Sequence, residues 1–234
     1  MDKKENQKVM HLFPLTIYKN RLGLTVSERE ELIKDVYFQE KQSKNIKYKS
    51  SNKGWTGDTQ GFEFLFLNKK FNKLFNLISK EIREYIKVIG IHSDKIDLYY
   101  QRAWATISRK GENIAMHSHN QSHITFAYYL KKTKDDGRLV FHNEKGQNEI
   151  SWGMFSNNLY QENLFAPNYS NAARGNLSPE LDEIVIFPSK TQHSTITNQT
   201  TDDRMSISGD ISVIAKNSEK LETLLTPISK WKKF

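Results

Sequence analysis

The pattern of the chain changes near residue 95, and this change limits the possible folds more than any other feature. Before it, two stretches show the apolar spacing and capping signals of helices, and after it, short apolar runs alternate with turn residues. Helices followed by many short strands indicate an antiparallel sandwich or barrel with helices packed outside it. We predict one domain, with a helical flank over 1–95, a β-core over 96–215 and a C-terminal helix over 216–234.

Local signals place several elements within these parts. We predict a first strand at 11–18, a helix at 71–88 and a short terminal helix at 218–225. For the first helix, Ser27 is a suitable N-cap, and Glu30 three residues later completes the capping-box pattern.

Composition excludes several classes of protein. The chain has 234 residues, no cysteine and a formal net charge of +8, so disulfides, thiolate-bound metals and cysteine nucleophiles are excluded. No apolar run approaches the ~20 residues of a membrane span, and no signal-peptide pattern opens the sequence. We therefore predict a cytoplasmic protein without a membrane partner. The basic surface suits anionic partners, but no zinc knuckle or RNA-binding signature supports a nucleic-acid partner.

Three of the seven histidines alternate within the stretch 116–130, which has the pattern of a β-strand. Side chains two residues apart on a strand share a face. His117 and His119 are therefore expected to point the same way as Thr125 and Tyr129. Phe126 and Tyr128 fall on the opposite face and are expected in the core.

A second group of polar residues follows about seventy residues later. His193 can join His117 and His119, because two close ligands and one from a distant strand can occupy one face of an octahedral metal ion. Arg204 then offers a guanidinium that can bind a carboxylate through two hydrogen bonds, and Ser206 shares its strand face. This set predicts a metal site with an anionic co-substrate.

Seven short motifs occur in order along nearly the whole chain. They are Leu12-Phe13-Pro14, Trp104, His117-Ser118-His119, Tyr128-Tyr129-Leu130, Phe187-Pro188-Ser189, His193 and Arg204-Met205-Ser206. In this order they resemble the Fe(II)/2-oxoglutarate-dependent oxygenase superfamily, and more narrowly a small bacterial and phage group within it.

The resemblance implies a mainly β (α+β) fold: a double-stranded β-helix (jelly-roll, cupin-like) core with flanking helices. It implies Fe(II) and 2-oxoglutarate as cofactors, with His117 and His193 binding the iron. Arg204, helped by Ser206 and Tyr129, would bind the 5-carboxylate of 2-oxoglutarate, and we add Thr125 on the same face. The activity implied is hydroxylation of an unidentified substrate with release of succinate and CO2.

One position departs from the superfamily, which usually has Asp or Glu two residues after the first histidine. Here that position is His119. Either His119 is a third neutral ligand, or it stands beside the metal while water completes the coordination. A neutral triad would leave the iron about one charge unit more positive and strengthen its attraction for an anionic co-substrate.

The substrate side is less defined. His123, Trp104 and Trp152 are candidate substrate contacts, and Trp152 lies in a long polar segment, 143–178, that we expect to cover the site. We expect a small-molecule or peptide substrate, and the basic surface suits an anionic one. Two alternatives stay open: a three-histidine cupin-like dioxygenase independent of 2-oxoglutarate, and a non-enzymatic β-sandwich binding module.

Overall fold

The computed structural model describes residues 10–43, 53–134, 137–143, 146–156, 164, 168–220 and 224–234. Its helices are α1 (Val26–Gln42) and α2 (Asn72–Val88). Its strands are β1 (Tyr18–Arg21), β2 (Trp55–Thr56), β3 (Ile96–Ser108), β4 (Ile124–Lys131), β5 (Leu139–His142), β6 (Arg174–Leu177), β7 (Glu183–Pro188), β8 (His193–Thr195) and β9 (Arg204–Ala215).

The strands of the described residues form two sheets. The larger has the order β1-β7-β4-β9-β3-β2, and the smaller has the order β6-β5-β8. Every paired strand is antiparallel to its neighbour. The prediction of a mainly β antiparallel protein with few helices is confirmed.

The two faces of the large sheet have different roles. In β4, Phe126 and Tyr128 are buried in a core that also contains the apolar faces of α1 and α2. Thr125 and Tyr129, at the alternate positions, line a cavity on the other side. Successive strand residues point to opposite faces, so the expected placement of Phe126 and Tyr128 in the core is confirmed.

A β-bulge in β3 changes which residues reach that cavity. The register of β3 against β9 shifts between Tyr100 and Arg102. Tyr100 packs against the helical core, whereas Arg102 and Trp104 line the cavity. In a regular strand Tyr100 and Arg102 would share a face, and the extra residue of a bulge reverses this alternation.

Close packing in the centre of the large sheet requires a glycine. A Cβ atom placed on Gly209 would lie 2.6 Å from the ring of Phe126 on the neighbouring strand. The absence of a side chain there lets the fully buried Phe126 ring lie over the β9 backbone.

Helix α2 matches its predicted position, and it buries one apolar face. Helix α1 corrects the predicted cap, because Thr25 rather than Ser27 is its N-cap. The Glu28 side chain accepts a hydrogen bond from the Thr25 backbone N–H at 2.9 Å, and Thr25 Oγ1 accepts one from the Glu28 N–H. The predicted pair, Ser27 with Glu30, and the observed pair, Thr25 with Glu28, have the same spacing, so spacing alone did not distinguish them. Within the described ranges, neither helix has the length and apolar character of a membrane span.

The first strand begins later than the predicted range 11–18. β1 starts at Tyr18, where pairing with Ile186 of β7 begins. Phe13 has a φ of 59° and a largely exposed side chain, and Pro14 has no N–H for a ladder. Apolar character alone therefore suggested a strand where the backbone does not form one.

The predicted histidine strand is also too long. β4 begins at Ile124, and the residues from His117 to His123 form a turn-containing connection. His117 keeps a single antiparallel bridge to His193. The turn formers in this connection, among them Asn120, explain why pairing stops there.

The predicted terminal helix at 218–225 is wrong for its described residues. Lys220 has a φ of 64°, which lies outside the right-handed helical region, and Leu225 bridges to Ile214. Residues 221–223 lie outside the described part of the chain. In the described part of 216–234, the only helical turn is a 3-10 helix at Ile228–Lys230.

A buried carboxylate ties the start of α1 to the large sheet. Asp182 precedes β7 and is 4% exposed. Its backbone is in the left-handed region, with a φ of 68°. Its carboxylate accepts hydrogen bonds from the Gly23 N–H at 2.8 Å, the Leu24 N–H at 3.3 Å and the Tyr128 hydroxyl at 2.8 Å. Because buried donors without partners are costly, this residue should be a principal source of local stability.

We predict that Asp182→Ala lowers the free energy of unfolding by about 2–4 kcal/mol, because it leaves two backbone N–H groups and a phenol without an acceptor. Tyr128→Phe, which removes one of the three donors, should cost about 1 kcal/mol. Urea unfolding followed by circular dichroism measures both. Equal losses for the two variants would contradict the role given to the carboxylate.

Candidate metal centre

Backbone pairing brings two of the predicted ligands together. The His117 N–H donates to the His193 carbonyl at 3.0 Å, and the His193 N–H donates to the His117 carbonyl at 2.9 Å. Their ring centroids are 4.3 Å apart. His119 follows two residues after His117, and its ring centroid lies 5.0 Å from that of His117 and 5.3 Å from that of His193.

The three rings form a cluster with the dimensions of a metal site. One ligand nitrogen from each of His117, His119 and His193 lies within 4.8 Å of the others. His117 Nδ1 lies 2.8 Å from the Ala115 carbonyl oxygen, and His193 Nδ1 lies 2.9 Å from the Thr191 carbonyl oxygen. A carbonyl only accepts, so Nδ1 carries the proton in both rings and Nε2 keeps its lone pair for a metal.

His119 is fixed in the same way by a carboxylate. Its Nδ1 lies 2.6 Å from Asp210 Oδ1, and its ring stacks on Trp104 with a centroid distance of 5.6 Å. Its Nε2 is buried and has no hydrogen-bond partner among the described residues. A buried nitrogen without a partner is unfavourable unless something binds it, and a divalent cation held by three imidazoles meets this need.

Asp210 is a site residue that we did not predict, although its parity with Arg204 and Ser206 was visible in the sequence. Its side chain is fully buried, and Oδ2 accepts a hydrogen bond from Arg102 at 2.8 Å. Burial alone would raise the pKa of Asp210, but the hydrogen bonds and charges of His119 and Arg102 outweigh it and lower that pKa. The signal in the sequence was that Asp210 is the one acidic residue of β9 and shares a strand face with Arg204 and Ser206.

Electrostatics keep two of the ligands neutral. Burial lowers the pKa of His117 below its ordinary value. Burial, with a smaller contribution from the neighbouring His117, lowers the pKa of His193 to about 3. Both imidazoles are therefore neutral at neutral pH, with one proton on Nδ1, and this is the form that binds metals.

Beside the rings lies a cavity of about 360 Å³ between the two sheets. Its walls carry hydroxyl groups from the large sheet, with Ser206 opposite Tyr129 and Thr106 in the strand ladders. Arg204 lies behind this wall, 4% exposed, and donates to Thr195 Oγ1 at 2.9 Å and to the Ile196 carbonyl at 3.1 Å. Thr195 lines the cavity, so only the Thr195 side chain stands between the Arg204 guanidinium and the cavity.

The predicted substrate contacts separate into two groups. Trp104 lines the cavity, and so do the predicted cofactor residues Thr125, Tyr129 and Ser206. Trp152 is 94% exposed and borders a different cavity, next to Glu149. His123 accepts a hydrogen bond from the Val213 N–H at 3.0 Å through Nδ1, which gives it a structural contact away from the three-histidine cluster.

Comparison with known sequences points to one family. Residues 102–210 match the family model described as "Putative 2OG-Fe(II) oxygenase". This range begins at Arg102, contains all three clustered histidines and Arg204, and ends at Asp210. A search of curated proteins finds no significant match.

Several solved structures share the fold at low sequence identity. The non-heme alpha-ketoglutarate-dependent carbocyclase SnoK from nogalamycin biosynthesis is 9% identical, with a TM-score of 0.56 over 90% of this chain and 87% of its own. HygX from Streptomyces hygroscopicus, solved with nickel and 2-oxoglutarate bound, is 8% identical, with a TM-score of 0.55 over 91% and 92%. A Pseudomonas putida prolyl-4-hydroxylase is 10% identical, with a TM-score of 0.51 over 84% and 92%.

The predicted resemblance is therefore confirmed by the sequence match over the site and by the shared fold. The superfamily of 2OG-Fe(II) oxygenases is supported for this chain by the sequence match over residues 102–210 and by a fold shared with such oxygenases of known structure.

Proposed function

We propose that the chain is an Fe(II)- and 2-oxoglutarate-dependent dioxygenase that hydroxylates a small molecule or peptide. The overall reaction consumes 2-oxoglutarate, O2 and a C–H bond, and it yields succinate, CO2 and an alcohol. The observation that carries this proposal is the convergence of three imidazoles whose Nδ1 atoms are all hydrogen-bonded, with the buried His119 Nε2 otherwise unpartnered.

His117, His119 and His193 are the proposed ligands. Three imidazoles from one side of an ion leave positions open on the other side, which is the arrangement used by non-heme iron oxygenases. Among the similar structures, HygX has been solved with iron bound and with nickel and 2-oxoglutarate bound, which supports the same cofactors here. Bound iron and 2-oxoglutarate would supply the oxidising power, and the protein would hold both and exclude water.

We propose that 2-oxoglutarate lies along the hydroxyl wall of the cavity. Tyr129, Ser206 and Thr125 can donate hydrogen bonds to its oxygens, and Arg204 provides the positive charge for the distal carboxylate. The guanidinium now bonds to Thr195, whose hydroxyl also accepts from the Ile114 N–H at 2.8 Å. The distal carboxylate would replace the Thr195 hydroxyl as a hydrogen-bond partner of Arg204.

We also propose that the two sheets form a double-stranded β-helix and that 1–234 acts as one domain. The pairing of Phe141 with His193 in the small sheet, together with the bridge from His193 to His117, supports this.

Placement in the cytoplasm stays a prediction from the sequence. Arg102 lines the cavity with its guanidinium 5.0 Å from the centre of the Trp104 ring, and this cationic group supports an anionic substrate.

The two alternatives have less support. A dioxygenase independent of 2-oxoglutarate would not need Arg204 next to the cavity, and a binding module would not need three imidazole nitrogens within 4.8 Å of one another. The family match favours neither.

We predict that His193→Ala abolishes succinate formation from 2-oxoglutarate, because it removes one of three ligands. The assay is NMR detection of succinate in reactions with Fe(II), O2 and a panel of substrates. His92→Ala, which alters an exposed histidine, is the matched control and should behave as wild type. Normal turnover by His193→Ala would disprove the site, and product formation without 2-oxoglutarate would favour the three-histidine alternative.

Arg204→Lys should weaken 2-oxoglutarate binding to the Ni(II)-loaded protein by about ten- to a hundredfold, because an ammonium cannot form the paired hydrogen bonds of a guanidinium. Calorimetric titration measures this affinity, and a separate titration should show that Ni(II) affinity is unchanged. Arg109→Lys, at an arginine paired with Glu40, controls for the substitution itself. Equal effects of the two variants would count against Arg204 as the carboxylate anchor.

Acidification should destabilise the metal-free protein through His193. The folded-state pKa of His193 is about 3, and the ordinary value is 6.5, so between these limits the unfolded chain binds a proton that the folded protein does not. Stability then falls as pH falls, by up to about 1.4 kcal/mol per pH unit. Urea unfolding in EDTA from pH 6 to pH 4 should show a shallower pH dependence for His193→Asn, and parallel curves would contradict this account.

A further inference from the structure

We propose that Asp210 is a positioning residue of the metal centre. Through His119 it fixes which ring nitrogen faces the metal, and it supplies the negative charge that a three-histidine site otherwise lacks. This inference rests on the proposed metal site at His117, His119 and His193.

The first argument is the burial of the carboxylate. Asp210 has no exposed surface, and an isolated buried charge is very costly. Among the described residues, its carboxylate accepts hydrogen bonds from four side chains around the site. His119 Nδ1 at 2.6 Å, Thr125 Oγ1 at 3.1 Å and Ser122 Oγ at 3.2 Å donate to Oδ1, and Arg102 donates to Oδ2 at 2.8 Å. The shortest of these is the bond to the proposed ligand.

The second argument is the charge of the site. Three neutral imidazoles leave a divalent ion with its full charge inside a low-dielectric cavity. A carboxylate hydrogen-bonded to a ligating imidazole raises the basicity of the ring, and removing such a carboxylate typically reduces metal affinity by about 10- to 100-fold. Asp210 thus acts on the metal through His119, whereas the carboxylate usual in this superfamily binds the metal directly.

The third argument is the orientation imposed by Arg102. Its guanidinium donates to Oδ2 and lies 5.0 Å from the centre of the Trp104 ring, and Trp104 in turn stacks on His119. In Asp210→Asn, Arg102 would hold the amide oxygen, so the amide NH2 would face His119. Nδ1 would then have to accept a hydrogen bond, and the proton would move to Nε2, where it blocks metal binding.

The test measures Ni(II) affinity of purified full-length protein by calorimetry. We expect Asp210→Asn to bind Ni(II) about 10- to 100-fold more weakly than wild type. In the His119→Ala background, Asp210→Asn should have a much smaller effect, because Asp210 acts mainly through its hydrogen bond to His119. Adding Arg102→Met to Asp210→Asn should restore part of the affinity, because the amide can then turn its oxygen toward His119.

Ser122→Ala is the matched control, since it removes another hydrogen bond to the same carboxylate oxygen and should change Ni(II) affinity less than about twofold. Wild-type affinity in Asp210→Asn, or an equal loss in the His119→Ala background, overturns the inference while leaving the metal site intact. Failure of the wild-type protein to bind Ni(II) would instead reject the proposed function.

A second measurement uses the wild-type protein, so it does not require that any variant folds. In wild-type protein loaded with Zn(II), nitrogen NMR of the histidine side chains should show a proton on Nδ1 of His119, in a strong hydrogen bond. A proton-free Nδ1, or His119 without metal coordination, would overturn the inference.

Discussion

The candidate site depends on two reciprocal backbone hydrogen bonds between His117 and His193. These bonds join the connection that follows β3 to the first residue of β8, although the two segments are far apart in the chain. Since the backbones are fixed to each other, the two rings have little freedom to separate. The third ring, two residues from His117, is then held by a carboxylate on the large sheet.

The cavity wall beside the site followed in part from the alternation of side chains along β4. Parity alone placed Thr125 and Tyr129 opposite Phe126 and Tyr128, and the structure has this division. The chain order of the histidines and Arg204 was sufficient to indicate the family. The division within β4 could be predicted because it rests on the pleat of a strand, which is a local property.

What the sequence did not show has equally physical reasons. The bulge between Tyr100 and Arg102 reverses the alternation in β3, and no local pattern marks it. Thr25 and Ser27 offer the same capping spacing, and only the path of the chain selects between them. Asp210 gains its role from His119 and Arg102 on other segments, so its importance depends on contacts that the sequence does not show.

The position of the three rings has a mechanical consequence. His193 belongs to the small sheet, whereas His119 is bonded to Asp210 in the large sheet. An ion held by both would act as a cross-link between the sheets, and its binding energy would add to the cohesion of the folded protein. Loss of the ion would weaken the contacts between the two sheets first. The core between the large sheet and the two helices would keep its packing.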